Sequence, residues 1–187
     1  MIKHWILAIP IGAFALTACV SQQTYDKQVQ QTQEAVALEQ QYLTLSRQLQ
    51  AEVTADQVQI KRLNDRLVVT FVDEVLFAPG SAELHANGHS TIGKAVPTLA
   101  TLGGHWISVQ GYTDSEPIGP ALRHRYPTNW DLSAARAVEV VRYLQSQGVD
   151  PGNLVAAGYG QYQPVAPNDT AQGRAKNRRI DIVLRSK

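Results

Sequence analysis

A single cysteine in 187 residues leaves no partner for an internal disulfide and no basis for a multi-cysteine zinc or iron–sulfur site. A basic surplus is missing as well. The 17 Lys+Arg are matched by 16 Asp+Glu, and because phosphate-binding surfaces usually carry a clear basic excess, nucleic acid is not an expected partner. No run reaches the ~18–20 apolar residues of an ordinary spanning helix. Glycine and proline are absent from Ser21 to Arg66, 46 residues that include twelve Gln. The total length suits one domain of ~100–150 residues with additional chain.

At the N-terminus, Lys3 and His4 precede fourteen uncharged residues, Trp5 to Ala18. A positive start followed by a short apolar segment fits a secretory signal peptide better than a membrane span. The segment ends in Leu16-Thr17-Ala18-Cys19, which resembles a bacterial lipobox. That resemblance implies a signal peptide over residues 1–18 and a lipidated Cys19 (diacylglycerol, palmitate) as the first residue after cleavage. Acyl chains, at ~0.8 kcal/mol per buried methylene, would then hold the chain on a bilayer. Val20 and Ser21 follow, without the Asp of an inner-membrane retention signal. The expected address is therefore the cell outer membrane, facing the periplasm. The alternative is an uncleaved signal anchor with a buried, inert cysteine.

Residues 19–66 read as a spacer. Without breakers, and rich in Gln, Glu, Ala and Leu, the stretch favours a continuous helix. Tyr42, Leu45 and Leu49, then Val53, Ile60, Leu63 and Leu67, follow a 4-3 spacing broken by an offset, as in a coiled coil with a stutter. Asp56 and Gln59 fall in that seam and weaken it, so a polar tether is the competing reading.

From Leu67 the pattern changes to that of a folded domain, residues 67–187. Leu67 to Val72 is β-branched and aromatic, a strand. Residues 84–101 read as a helix containing Gly88, Gly93 and Pro97, and Trp106 to Tyr112 as a strand. Asp131 to Gln147 forms the strongest helix, with Leu132, Ala135, Val138, Val141 and Leu144 as its apolar face and Gly148 as its stop. Leu154 to Ala157 and Arg179 to Leu184 read as strands, with a short helix over residues 170–176 between them. Alternating strands and helices give an α/β (α+β) sandwich, helices packed on one sheet.

Four segments then carry a specific resemblance. They are Val75-Leu76-Phe77-Ala78-Pro79-Gly80-Ser81-Ala82-Glu83-Leu84, Gly111-Tyr112-Thr113-Asp114, Asn129-Trp130-Asp131-Leu132-Ser133-Ala134-Ala135-Arg136-Ala137, and Gly173-Arg174-Ala175-Lys176-Asn177-Arg178-Arg179-Ile180. In this order, over residues 68–185, they resemble the OmpA-like C-terminal domain family shared by OmpA, MotB and the peptidoglycan-associated lipoprotein. The resemblance implies a βαβαβ-type domain with helices on one mixed sheet. It also implies non-covalent peptidoglycan binding without enzymatic activity, catalytic residues or cofactor.

The implied ligand is the meso-diaminopimelate of the peptidoglycan stem peptide, whose side chain ends in an ammonium and a carboxylate on one carbon. By resemblance Asp114 takes the ammonium and Arg136 the carboxylate, for which a planar guanidinium fork suits better than a lysine. Thr113, Asn129, Leu132 and Ser133 belong to the same motifs, the last three near a helix start where free amides favour an anion. Asn177 and Arg178 line or brace the pocket.

Two departures bear on this reading. Tyr112 stands where the family commonly has His. Residues 115–128 are longer than in typical OmpA members and, with Asn129-Trp130, resemble the MotB version. A stator role is nevertheless disfavoured, because residues 5–18 contain no acid. The wider alternative is a peptidoglycan-anchoring subunit of a larger envelope machine, with self-association through residues 20–66 or a protein partner on residues 20–66 or the 115–128 loop. A zinc hydrolase is the competing class: His85 and His89 are four apart, with Glu83 and Asp73 nearby. Ala86 occupies the position of the expected glutamate, so the expected metal ligand set is none.

Overall fold

In the computed structural model residues 22–63 and 65–187 are described. Residues 1–18 and Cys19, with the signal peptide and lipidation readings, lie outside the described residues. The elements run α1 (Gln22–Gln48), α2 (Gln50–Thr54), β1 (Val58–Leu63), β2 (Arg66–Val72), α3 (Asp73–Leu76), α4 (Ala86–Ala100), β3 (His105–Tyr112), α5 (Pro120–Arg123), α6 (Asn129–Ser146), β4 (Leu154–Gly158), α7 (Ala171–Asn177) and β5 (Arg179–Ser186). The chain divides into two compact units, residues 1–34 and 35–187. Of the first, residues 22–34 are described and are exposed helix.

The sheet order is β1-β2-β5-β3-β4, antiparallel except for the β3–β4 pair, which α6 connects as a crossover. This is the mixed sheet the resemblance implied. Alternation in β2 puts Leu67, Val69 and Phe71 on one face, opposite Leu184, Ile182 and Ile180 of β5. Ile107 and Val109 of β3 continue that buried face, and α4 and α6 supply Ile92, Leu99, Ala137, Val140 and Leu144 to the same core.

The continuous helix expected over residues 21–66 is corrected here. It breaks at Leu49, ends at Thr54, and residues 58–63 are a strand paired with β2. Asp56 takes a left-handed backbone (φ 56°) and turns the chain, a place usually filled by glycine. Beyond it Val58 faces the core opposite Phe71, while Gln59 and Lys61 point away, a period of two that the missing breakers concealed. The coiled-coil seam is corrected with it. Leu45 and Leu49 are fully buried, and Leu38, Tyr42 and Val53 pack on the same core. The boundary at Leu67 therefore falls inside the folded unit. Gln48 accepts a hydrogen bond from Thr98 Oγ1 (2.9 Å) and Glu52 pairs with Lys94, which fastens this region to α4.

Helix α6 begins with a capping box between Thr128 and Asp131. Its buried residues are Asn129, Leu132, Ser133, Arg136, Ala137, Val140 and Leu144, whereas Val138 is exposed. The expected apolar stripe was therefore rotated, because one buried edge of the helix is polar. Close backbone approach sets its position. A Cβ at Gly111 of β3 would fall on the Ser133 carbonyl oxygen, and one at Gly158 of β4 on Ala134. We expect Gly111→Ala to lower stability by about 2–4 kcal/mol, since only a shift of α6 relieves the overlap, measurable by urea denaturation.

Candidate functional site

The end of β3, the start of α6 and the junction of α7 with β5 meet around a cavity of about 300 Å³. Its wall includes Asp73, Glu74, Phe77, Asp114, Asn129, Leu132, Arg136 and Arg178, with Pro117, Ile118 and Leu122 from the 115–128 segment. Asp114, the residue expected to accept an ammonium, is buried. Its Oδ2 accepts from Arg178 Nη1 (2.7 Å) and its Oδ1 from the Glu116 amide (3.1 Å). Arg178 also donates to Glu74, so one guanidinium bridges two carboxylates at the rim. Burial works against the Arg178 charge, but the hydrogen bonds to Asp114 and Glu74 outweigh it and push its pKa above the ordinary arginine value.

Arg136 sits deeper, 4% exposed. Its Nη1 lies 2.8 Å from Asp73 Oδ1, its Nε donates to the Ser81 carbonyl (3.0 Å), and its guanidinium carbon is 5.0 Å from the centroid of the Phe77 ring. Asp73 Oδ1 faces this charge but has no hydrogen-bond partner among the described residues. Burial consequently pushes the Asp73 carboxyl up to about 6, only partly opposed by Arg136 and Arg178 and reinforced by Glu74 and Asp114. Burial also lowers the Arg136 pKa, with Asp73 opposing.

A carboxyl whose folded pKa exceeds its unfolded value contributes stability that is full below about 3.8 and is lost as pH rises through about 6. Unfolding free energy should thus increase by about 1 kcal/mol from pH 7 to pH 5 on account of this group. Asp73→Asn should remove that increment. Denaturation of both proteins at the two pH values measures it.

Of the remaining expected site residues, Asn129 and Leu132 belong to the cavity wall and Thr113, Ser133 and Asn177 do not. Asn129 lines the cavity and its Nδ2 reaches the carbonyls of Asp114 (3.4 Å) and Glu116 (3.1 Å) and Gln161 Oε1 (2.6 Å). Thr113 donates to the Asp114 carbonyl, and Ser133 Oγ accepts from the Gly160 amide (2.9 Å); neither is part of the cavity wall. Asn177, fully buried, accepts from the Val165 and Ala166 amides and donates to the Ala166 carbonyl and Asn168 Oδ1, so it braces the loop before α7. The Asp131 amide is occupied by the Thr128 cap rather than free for an anion. Tyr112 turns to the opposite face of the sheet, between Tyr159 (5.0 Å) and Arg179 (3.7 Å).

Asp73, Glu74, Phe77, Ile118 and Leu122 complete the wall without having been expected there. The signal was present in Asp73-Glu74, two acids directly after an apolar strand. His85 and His89 are employed structurally: His85 caps α4 by accepting from the Gly88 amide (2.9 Å), and the His89 ring lies edge-on to Tyr143. Among the described residues no group of three or more His, Cys, Asp or Glu is arranged to hold a metal ion.

The family model described as "OmpA family" matches residues 76–178. Motility protein B of Bacillus subtilis is 32% identical over 130 residues, 68% of this chain and 48% of that protein. Peptidoglycan-binding protein ArfA of Mycobacterium bovis is 33% identical over 113 residues, 59% of this chain and 32% of that protein. The solved structure of the cell wall anchor of the T6SS from Pseudomonas aeruginosa superimposes with a TM-score of 0.69 at 36% identity, covering 76% of this chain and 97% of that one. The chain spans about half the length of the first curated relatives it matches.

Proposed function

The chain belongs to the OmpA family, and on that premise we propose that it is a non-covalent peptidoglycan anchor of the cell envelope. The observation that carries this reading is the convergence of Asp114, Arg136 and Arg178, from three separate family-like segments, on one cavity. A zwitterionic amino-acid end fits that arrangement. Its ammonium meets Asp114, with Glu74 adjacent, and its carboxylate meets Arg136 or the exposed edge of Arg178. Ile118, Leu122 and Phe77 supply an apolar wall for the methylenes between the two ends of diaminopimelate. The reading is one of binding, without a catalytic step.

Two settings are consistent with such an anchor. A lipidated Cys19, with residues 1–18 as signal peptide, makes the chain a tether between outer membrane and wall. Similarity to Motility protein B and to the T6SS wall anchor favours the second setting, in which the domain holds a larger envelope assembly to the wall. The exposed helix before residue 35 is the segment on which partners would act. Both settings are compatible with a lipid anchor; Cys19→Ser should abolish recovery with the outer-membrane fraction, and unchanged recovery would reject that anchor.

The test of the function itself is co-sedimentation of the full chain with purified sacculi containing diaminopimelate. Saturable binding, displaced by soluble stem peptide, is expected. Absence of co-sedimentation would reject the reading.

A further inference from the structure

Beside the cavity, two aromatic rings stack in the open. Trp130, the second residue of α6, is 48% exposed and Tyr162 is 62% exposed, with ring centroids 5.2 Å apart and planes at 26°. Side chains of this size are ordinarily buried, and both are adjacent in sequence to residues tied to the cavity: Trp130 follows Asn129, and Tyr162 follows Gln161, which accepts the Asn129 amide hydrogen bond. The turn bearing Tyr162 is held from three sides. Ser133 Oγ accepts from the Gly160 amide, the Thr113 amide donates to the Gly160 carbonyl, and Asn129 holds Gln161. Gly160 itself adopts φ +57°, a left-handed backbone that favours glycine. Ser133 and Thr113 are buried and lie outside the cavity wall, so these polar groups serve to fix the aromatic turn rather than to meet a ligand in the cavity.

We propose that the Trp130–Tyr162 pair is a sugar-stacking platform that takes one N-acetylated pyranose ring of the peptidoglycan glycan strand. This proposal rests on the peptidoglycan reading above. Ring faces carry negative charge density that attracts the polarised C–H groups on the flat face of a pyranose. Gln161 and Gln163 flank Tyr162 in the sequence, neutral amides of the kind that complement hydroxyl and acetamido groups. Diaminopimelate is the third residue of a stem peptide attached to the sugar, so the chain between them reaches on the order of 10–15 Å when extended, and the platform begins one residue from the cavity wall. Prior fixation of the turn keeps the ordering cost of binding low.

The experiment titrates the full chain with two soluble probes: a diaminopimelate tripeptide, and the same tripeptide carrying its disaccharide. Wild type should bind the disaccharide form about five- to tenfold more tightly. Trp130→Ala and Tyr162→Ala should each lose most of that difference while binding the bare tripeptide as wild type does, and Trp130→Phe should retain part of it. Both side chains are largely exposed, and circular dichroism verifies that the variants fold. Equal binding of the two probes by wild type, or an undiminished preference in both alanine variants, would overturn the platform and leave the peptide site standing. Failure of wild type to bind either probe would overturn both readings.

Discussion

Arg136→Ala should lower the unfolding free energy by about 3–5 kcal/mol at pH 7, because it removes the cation paired with the buried Asp73 carboxylate. It also deletes the Nε bond to the Ser81 carbonyl and the guanidinium over Phe77, which together fix the segment after β2 to α6. The loss should shrink toward pH 5. There Asp73, already pushed up to about 6, takes a proton and no longer requires a counter-charge. Asp73→Asn is the control. An amide keeps the shape of the acid and an oxygen that can accept from the buried Arg136 guanidinium, but it cannot titrate, so whatever stability this variant loses should be the same at pH 5 and pH 7. Denaturant melts of the three proteins at pH 5 and pH 7 give the comparison. A loss for Arg136→Ala that is identical at both pH values would show that packing, rather than the ion pair, carries the effect.

Asp114→Ala should weaken binding to diaminopimelate-containing muropeptides by roughly ten- to a hundredfold, since hydrogen bonds to charged groups contribute ~1.5–3 kcal/mol. Its structural consequence should be small. Arg178 retains Glu74 and remains partly exposed, so the guanidinium is not stranded. Binding and stability therefore separate at this position, whereas at Arg136 they are mixed. Calorimetric titration alongside a denaturant melt resolves them. A fully stable Asp114→Ala protein with unchanged affinity would remove Asp114 from the site.

Residues with local signatures were readable from the chain, and those whose roles depend on distant partners were not. The β2 strand and the α6 helix follow from alternation and from apolar spacing over continuous stretches. Asp114, Arg136 and Arg178 stood out because each lies in a segment with a family-like order of residue types. Glu74 did not, since its partner Arg178 is 104 positions away and nothing adjacent marks the pairing. Asp73 was legible only as an acid after a strand; its burial against Arg136 arises from the packing of α6 over β3 at Gly111. Strand β1 was hidden for a different reason. Asp56 adopts a turn conformation that sequence rules assign to glycine, and the residues beyond it, Val58 and Ile60, fit either period over so short a span.

The chemistry proposed for the cavity reads both ends of one zwitterion, so the decisive ligand pair differs only in the carboxylate. The measurement is calorimetric titration of the full chain with a stem tripeptide ending in meso-diaminopimelate and with its lysine counterpart. The account predicts saturable binding of the first and at least about tenfold weaker binding of the second, because the lysine side chain ends in an ammonium alone and has no carboxylate for Arg136 or Arg178. Equal affinity for the two peptides would contradict it.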